Sequence, residues 1–531
     1  MNFLNKIIMI IGSSVCALNI AKELLSEDKE IIIVSKEKET SASIGAFKAL
    51  SIKPDRILSG TEIISCNGTL GNFKVLMAKN GEFISKEVSD IIIAEDYERV
   101  HNYFHYDIKA SENILPLSSL AGSDSYIKST VESLPAGGKI AFLTGIGYES
   151  NPLIAEEIML ACLKLQTEFN RQTYILANNL KVSGNELEKL YRETKKSGTI
   201  YFKFTETVPE VKQNKDGQIT FEFKDEITHH NFRISPALTI IDETISASEY
   251  TKKLAAIFKL HTATEGFLQT ENVHRKVVYT NRKGILAAGP SRAVLNNTEI
   301  KIDSVNAAAL AVGAKYDNKN DQAGTAEINT GSCIRCLTCY RCCPYLAIAL
   351  ETRPVVMSDS CEGCGICFAE CPRGAISLKF PDNRNIPDQI KQYADIQYEK
   401  TSSPLIIAFC CSRSASRAKE LALSMGHNLP LNLKVVEVPC SGIISIEFIL
   451  SAFLNNAEGV LVLTCHKGNC HSEDGNIFAA NRVEQLKEMF ENMNLKKERL
   501  EIKTLASNMG YEFAQIVNNF ENTIKTLRQS S

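Results

Sequence analysis

The sequence predicts a mostly parallel, doubly wound α/β protein interrupted by a small cysteine-bearing α+β module. Three observations lead there. Short apolar runs alternate with helical patterns through the first three-fifths and again through the last quarter. Two of the runs end in glycine-bearing turns, at Gly12 and Gly145. Of 17 cysteines, 14 lie at or after Cys333, in two groups. At 531 residues the chain has room for several cores. The expected division is 1–95 with 271–320, an inserted 96–270, the cysteine module 325–382, a linker 383–402, and 403–531. A net charge of −3 and a pI near 6.4 leave no electrostatic footprint for nucleic acid.

Lys6–Ile11 reads as a buried strand, followed by a helix and a second strand, Ile31–Val34. A secretory leader with Cys16 as a lipid site would share the same start. The apolar run is short, however, and a β-α-β opening accounts for more of it. No apolar run reaches the ~18 residues of a membrane span. The turn Gly12-Ser13-Ser14-Val15-Cys16-Ala17 can be set against G-x-G-x-x-G/A, the dinucleotide-binding fingerprint. Gly12 and Ala17 suit it. Ser14 stands where bare backbone would meet a pyrophosphate, and Ser35-Lys36 replaces the usual ribose-binding acid. Asp90–Ala94 is a further strand that runs into Glu95-Asp96, where two-dinucleotide flavoproteins carry a glycine.

Lys139–Leu143, the turn Thr144-Gly145-Ile146-Gly147 and the helix Leu153–Leu165 open a second nucleotide-like unit. Thr173–Leu176 and Thr199–Lys203 follow as strands around a helix Glu186–Lys196, and Gln218–Phe223 with Asn231–Ile234 as a β-ribbon. Gly284–Gly289 reads as a strand and turn returning to the first sheet, before a helix Ser304–Val312. The fold expected is a two-dinucleotide-binding flavoprotein fold of the FAD/NAD type with an eroded fingerprint.

Cys333, Cys336, Cys339 and Cys343-Pro344 are repeated 28 residues on as Cys361, Cys364, Cys367 and Cys371-Pro372. Each half is C-x2-C-x2-C-x3-C-P, the ligand run of a two-cluster ferredoxin, in which the fourth Cys of each run serves the other cluster. Cys333, Cys336, Cys339 and Cys371 are therefore assigned to one 4Fe–4S cluster, and Cys361, Cys364, Cys367 and Cys343 to the second. Cys342 competes with Cys343 but lacks the spacing and the proline. Structural zinc or disulfides fit two such quartets poorly. Arg335 and Arg341 beside the first loop, against Glu362 and Glu370 beside the second, predict a higher potential for the first motif's cluster.

After the linker, Leu405–Phe409, Leu433–Val438 and Gly459–Thr464 are strands separated by helices Ala415–Met425 and Ile446–Asn455, a flavodoxin-like parallel pattern. Each strand ends in cysteine: Cys410-Cys411, Cys440, and Cys465 with Cys470. A parallel sheet brings those ends to one edge, so Cys411 (or Cys410), Cys440, Cys465 and Cys470 form a candidate site for a further cluster or zinc. The alternative is that they are small buried core residues. His466 and His471 flank the last pair, with surface or supporting roles expected.

With these residues in view, the chain resembles a fusion of two families. Residues to about Phe380 are similar to the A subunit of heterodisulfide reductase and to the B subunit of the quinone-interacting membrane-bound oxidoreductase complex, through Gly71-Asn72-Phe73-Lys74-Val75, Thr173-Tyr174-Ile175-Leu176, Leu187–Lys196, Pro209-Glu210-Val211 and Gly284–Gly289. From Pro404 the chain resembles the delta subunit of methyl-viologen-reducing hydrogenase, through Ala408-Phe409-Cys410-Cys411, Cys440-Ser441-Gly442 and Cys465-His466-Lys467-Gly468-Asn469-Cys470-His471. That resemblance implies a 2Fe–2S cluster on Cys411, Cys440, Cys465 and Cys470, with Ser414 where the family often has another Cys.

The first resemblance implies FAD and other subunits of a heterodisulfide-reductase-like complex as partners. The second implies a hydrogenase or dehydrogenase beside the C-terminal cluster, and a soluble ferredoxin is expected beyond the two ferredoxin-type clusters. Those clusters favour a reducing cytoplasm, with any membrane link made through a partner subunit. Against FAD stand Ser14, Ser35 and Glu95-Asp96. The extra cysteine motifs of the heterodisulfide reductase relative are also missing, from Ser41–Ala49 entirely and from Gly145–Cys162 except for Cys162. Three functions stay open at this point: an iron–sulfur electron-transfer subunit with no small-molecule substrate of its own, a flavoenzyme performing bifurcation or disulfide- or quinone-linked chemistry, and a non-redox metal scaffold.

Overall fold

The computed structural model describes residues 7–50, 52–121, 124–179, 182–184, 186–205, 208–263, 265–269, 277–313, 324–378, 385–398 and 403–529. Lys6 and residues 271–276, 314–323, 379–384 and 399–402, which carried ends of expected elements, lie outside them. The chain divides into two compact units, Met1–Glu95 with Lys252–Arg292 and Lys301–Ser531, and Asp96–Thr251 with Ala293–Ile300. The main segment of the inserted unit thus ends at Thr251, against the expected 270, and Ala293–Ile300 belongs with it. From Lys252 the chain is tied to the first unit: Lys253 pairs with Glu62 (2.6 Å) and the Phe258 carbonyl accepts from Arg282 (2.9 Å).

The opening β-branched runs have nearly every residue buried, so they form the middle of a parallel sheet rather than an edge. Its order is Ile285–Ala287, Asp90–Ile93, Ile7–Ile11, Glu30–Val34 and Ile57–Leu58. The helix Val15–Ser26 covers it with Cys16, Ala17, Ile20, Ala21 and Leu24, a stripe at helical spacing. A three-stranded antiparallel sheet, Thr61–Thr69, Asn72–Lys79 and Glu82–Val88, was not anticipated. Its second hairpin turns on Asn80-Gly81, both with positive φ (49° and 86°), the pair a tight two-residue hairpin requires.

The second unit has its own parallel sheet, in the order Ile200–Lys203, Thr173–Ala177, Ile140–Thr144, Leu238–Ile241 and Ile114–Pro116. The expected two-stranded ribbon gains a third member, Glu210–Gln213, beside Ile219–Lys224 and Asn231–Ile234.

In the first unit the cysteine module is pinned by two short antiparallel pairs, Ala326–Ile328 with Ile376–Leu378 and Ile348–Leu350 with Pro354–Val356. Its core is Ala326, Cys339, Ile348, Cys367 and Ile376. The C-terminal domain is a parallel sheet in the order Leu433–Val438, Ile406–Cys411, Gly459–Thr464 and Leu500–Thr504, with helices on both faces. Side chains alternate between two cores. Ile407, Phe409, Val460 and Val462 face one way; Ile406, Ala408, Cys410, Leu461 and Leu463 face the other. Each such buried aliphatic or aromatic side chain contributes about 1.5–3 kcal/mol.

The expected linker is corrected here. Residues Ile386–Tyr398 are a helix with Pro387 in its first turn, and Ile386 and Ile390 lie in the first of these cores.

Candidate metal centres

The two halves of the cysteine module share one backbone. Positive φ recurs at the same offsets from each first cysteine: Arg335 (58°) with Gly363 (64°), Leu337 (62°) with Gly365 (77°), and Leu346 (51°) with Gly374 (56°). Tight left-handed steps let each loop turn its sulfurs inward, at a conformational cost where the residue is not glycine. The fourth cysteine of each run is also held alike. Cys343 Sγ accepts the Ala347 N–H (3.4 Å) and Cys371 Sγ accepts the Ala375 N–H (3.3 Å).

These turns enclose two small cavities. One is lined by Cys333, Cys336, Cys339 and Cys371. The other is lined by Cys361, Cys364, Cys367 and Cys343. Cys371 of the second run thus lines the first cavity, and Cys343 of the first run lines the second. Cys342 is in the lining of neither, and its Sγ donates toward the Cys339 carbonyl (3.7 Å). Burial pushes the Cys364 thiol up to about 12 and raises Cys339, Cys343 and Cys367. Cys336, at the surface, is lowered by the Thr338 hydroxyl. Buried thiols that resist ionising on their own suit a cationic core that would compensate their charge. Thiols as the sulfur donors, apolar walls and space between them fit an iron–sulfur cluster in each cavity.

At the carboxyl edge of the C-terminal sheet Cys411, Cys440, Cys465 and Cys470 meet, each at most 3% exposed. Cys411 and Cys465 Sγ are 3.7 Å apart. Gly475 lies against the other pair: a Cβ there would collide with Cys440 Sγ and sit 3.5 Å from Cys470 Sγ. Strand alternation separates Cys411 from Cys410, which points into the opposite core. Ser414 joins the group by accepting from Cys465 Sγ (3.4 Å). Hydrogen bonds from neighbouring thiols hold Cys411 down to about 6, through Cys465, and Cys470 lower still, through Cys440 and Cys465. Cys440 and Cys465 are pushed up in return. Such a set, two thiolates already favoured among four buried sulfurs, fits a small thiolate-held cluster. His466 is turned to Thr504 (2.8 Å) and Met509, away from the sulfurs. Among the described residues no three His, Cys, Asp or Glu side chains converge as they would around a single ion.

The two sulfur regions adjoin. Cys364 and Ile366 are buried in one cluster with Cys411, Cys440, Cys465 and Cys470. Tyr345, on the wall of the second cavity, donates its hydroxyl to the His471 carbonyl (3.1 Å), and Phe368 stacks on Phe448 at 5.5 Å. The buried Arg482 donates to the carbonyls of Gly442 (2.7 Å) and Ile444 (2.8 Å) and pairs with Glu370. The partners of Arg482, Ser414 and Tyr345 are not legible in the sequence, because these contacts cross 38 to 126 residues.

Residues 406–528 match the family described as methyl-viologen-reducing hydrogenase, delta subunit, and 354–377 match the 4Fe-4S binding domain. The iron-sulfur D subunit of the F420-non-reducing hydrogenase of Archaeoglobus profundus is 35% identical over 124 residues, 23% of this chain and 90% of that protein. This chain belongs to the hydrogenase delta-subunit family. A second region of this delta-subunit fusion is similar to the A subunit of the ferredoxin:CoB-CoM heterodisulfide reductase of Methanosarcina mazei, 25% identical over 348 residues, 64% of this chain. The chain spans 43% of that relative's length. The thioredoxin reductase of T. acidophilum aligns at a TM-score of 0.38 and 13% identity over 57% of this chain and 96% of its own.

In this delta-subunit fusion both nucleotide-like turns are satisfied from within. Gly12 (φ 125°) is required by its closeness to the Ala94 carbonyl, and Ala17 packs fully buried. Ser14 caps the helix, accepting the Ala17 N–H (3.2 Å) and donating to the Ala94 carbonyl (2.6 Å). Gly12, Ser14 and Ala17 are thus brought together as expected, but the hydroxyl of Ser14 occupies the turn that a pyrophosphate would need bare. In the second unit the Gly145 N–H donates to Asp242 (2.9 Å), a 1%-exposed carboxylate that also accepts from Asn102 (2.9 Å), Tyr106 (3.0 Å) and Tyr148. An anion from the chain itself holds the place where such turns hold phosphate. The residues at these turns do not fit a dinucleotide as they stand.

Proposed function

We propose that this chain is the iron–sulfur electron-transfer subunit of a heterodisulfide-reductase-like oxidoreductase complex. The observation that carries the reading is the burial of Cys364, from the second cavity, in one cluster with the four cysteines of the delta-subunit domain. Cys333, Cys336, Cys339 and Cys371 would hold one 4Fe–4S cluster, Cys361, Cys364, Cys367 and Cys343 a second, and Cys411, Cys440, Cys465 and Cys470 a 2Fe–2S cluster. Such groups supply one-electron carriers. The chain's part is to hold their sulfurs in sequence, exclude water from the inner two sites and set the local charge.

The delta-subunit domain would face a hydrogenase or dehydrogenase subunit, and the whole would work in the cytoplasm. No helix among the described residues is long and apolar enough to cross a membrane.

A flavoenzyme reading has Gly12 and Ala17 in its favour and the Ser14–Ala94 bond against it. Anaerobic purification with iron, sulfide and flavin analysis separates the two. The electron-transfer reading expects about ten iron per chain and EPR signals of both cluster types. An iron-free chain, or one whose only chromophore is a stoichiometric flavin, overturns it.

A further inference from the structure

We infer that the hydroxyls of Ser414 and Ser441 are hydrogen-bond donors to the sulfurs of the C-terminal site and set how readily that site accepts an electron. The inference rests on the electron-transfer reading and adds two positioning residues to a site otherwise built of cysteines.

Ser414 is the N-cap of the helix Ala415–Ser424, yet its hydroxyl does not cap it. Ser14, Ser41 and Ser445 show the ordinary arrangement, each accepting the N–H three residues on at 3.2 to 3.3 Å. At Ser414 the carbonyl still serves the helix, accepting from the Ala418 N–H (2.9 Å). The buried hydroxyl is turned instead to Cys465 Sγ, 3.4 Å away. While Cys465 is a thiol, the proton of that contact is the thiol's. A metal-ligating cysteine has lost its proton and can only accept, so the same pair then bonds in the opposite sense, with Ser414 donating.

Ser441 follows Cys440 directly and is fully buried, and its hydroxyl has no partner among the described residues. The backbone around it is committed. The Gly442 N–H donates to Cys440 Sγ (3.4 Å), and the Ser441 carbonyl accepts from the Ile444 N–H (3.0 Å). Burying a hydroxyl is unfavourable unless its proton finds an acceptor, so a buried orphan beside a metal-ligating cysteine points to a bound group that completes it. What loading adds at this site is acceptors: ionised thiols and the sulfides of a cluster.

Reduction adds one negative charge to the site. A donor to sulfur therefore stabilises the reduced state more than the oxidised one and raises the potential. Cys411, Cys440, Cys465 and Cys470 are each at most 3% exposed, so water does not compete for those sulfurs and each protein donor acts at full strength. Both serines keep their protons on oxygen throughout, and neither makes or breaks a covalent bond.

The test uses the full, iron-loaded chain in an anaerobic redox titration followed by EPR. S414A should keep its fold and iron, since the alanine removes no helix cap, and should lower the midpoint of the 2Fe–2S signal. At the wild-type midpoint its reduced-to-oxidised ratio should fall about tenfold, which is ~59 mV for one electron, with the 4Fe–4S midpoints unmoved. S441A should shift in the same direction. S414T keeps the hydroxyl and should return the wild-type value. Where threonine disturbs the packing, as iron content would reveal, electron–nuclear double resonance on chain loaded in deuterium oxide carries the test: an exchangeable deuteron coupling of the wild type should be missing in S414A. A serine variant that stays loaded and keeps the wild-type midpoint overturns the donor role of that residue and leaves the electron-transfer reading standing. Loss of about two iron in S414A overturns it as well, because Ser414 would then be a ligand. An iron-free wild-type chain overturns both readings.

Discussion

The side chain of Ile443 stands where a Cβ on Gly365 would have to be, 2.5 Å from its Cγ1. The reverse holds one step away, where a Cβ on Gly442 would lie 2.5 Å from Ile366 Cγ1. Leu337, the counterpart of Gly365 in the first loop, is half-buried and lines the first cavity. Two glycines thus let the cysteine module and the delta-subunit domain interlock.

G365A should cost roughly 1–3 kcal/mol, partly from the clash and partly from its positive φ. I443A makes room, so the double variant should cost less than the two singles together. Chemical denaturation of all four proteins in a double-mutant cycle checks this. Strict additivity would mean that the contact is not maintained.

Arg482 and Glu370 form the buried charged link across the same seam. R482M leaves two backbone carbonyls and a carboxylate without their donor, and should destabilise the chain by about 3–5 kcal/mol, with E370Q milder. Removing that positive charge should also lower the midpoint of the second motif's cluster while the first motif's cluster stays the higher of the two. EPR-monitored redox titration of wild type and R482Q reads both effects, and a shared, unmoved midpoint contradicts them.

Cys410 and Cys411 are neighbours with opposite surroundings. C411S should remove about two iron per chain and the 2Fe–2S signal. C410S should keep both and cost about 1–3 kcal/mol from a polar hydroxyl in an apolar core. Iron analysis with EPR distinguishes them. Loss of the signal in C410S rather than C411S would reverse the assignment.

Tyr106 and Tyr148, buried beside Asp242, hold their protons above the usual tyrosine range, with burial as the first cause. Their folded pKa lies above the unfolded value of about 10, so the stability they contribute is fully present below pH ~10 and lost as pH rises through it. Y148F should be less sensitive to alkali than wild type above pH ~10. D242N should destabilise by roughly 1–3 kcal/mol at neutral pH. Circular dichroism melts across the pH range check both.

The elements most readily read from the sequence were those whose signal is local. Ile7–Ile11 and Gly459–Thr464 are apolar runs of strand length, and the eight ferredoxin-type cysteines are fixed by spacing, which is a property of short loops. Ile386–Tyr398 is hidden in the sequence because its polar outer face masks the inward pair Ile386 and Ile390. The hairpin at Asn80-Gly81 does carry a local signal, the turn dipeptide itself. Asp242, Arg482 and Ile443 could not be read locally. Each gains its role from a partner brought near only by the finished fold, and nothing in the flanking residues distinguishes them from ordinary strand-end or helix positions.

The left-handed steps at Arg335, Leu337 and Leu346 reappear as Gly363, Gly365 and Gly374. Copying a receptacle in this way produces an object with two mouths, and fastening one of them down gives the copy a polarity that the original lacked. A wire needs nothing more than that to have a near terminal and a far one.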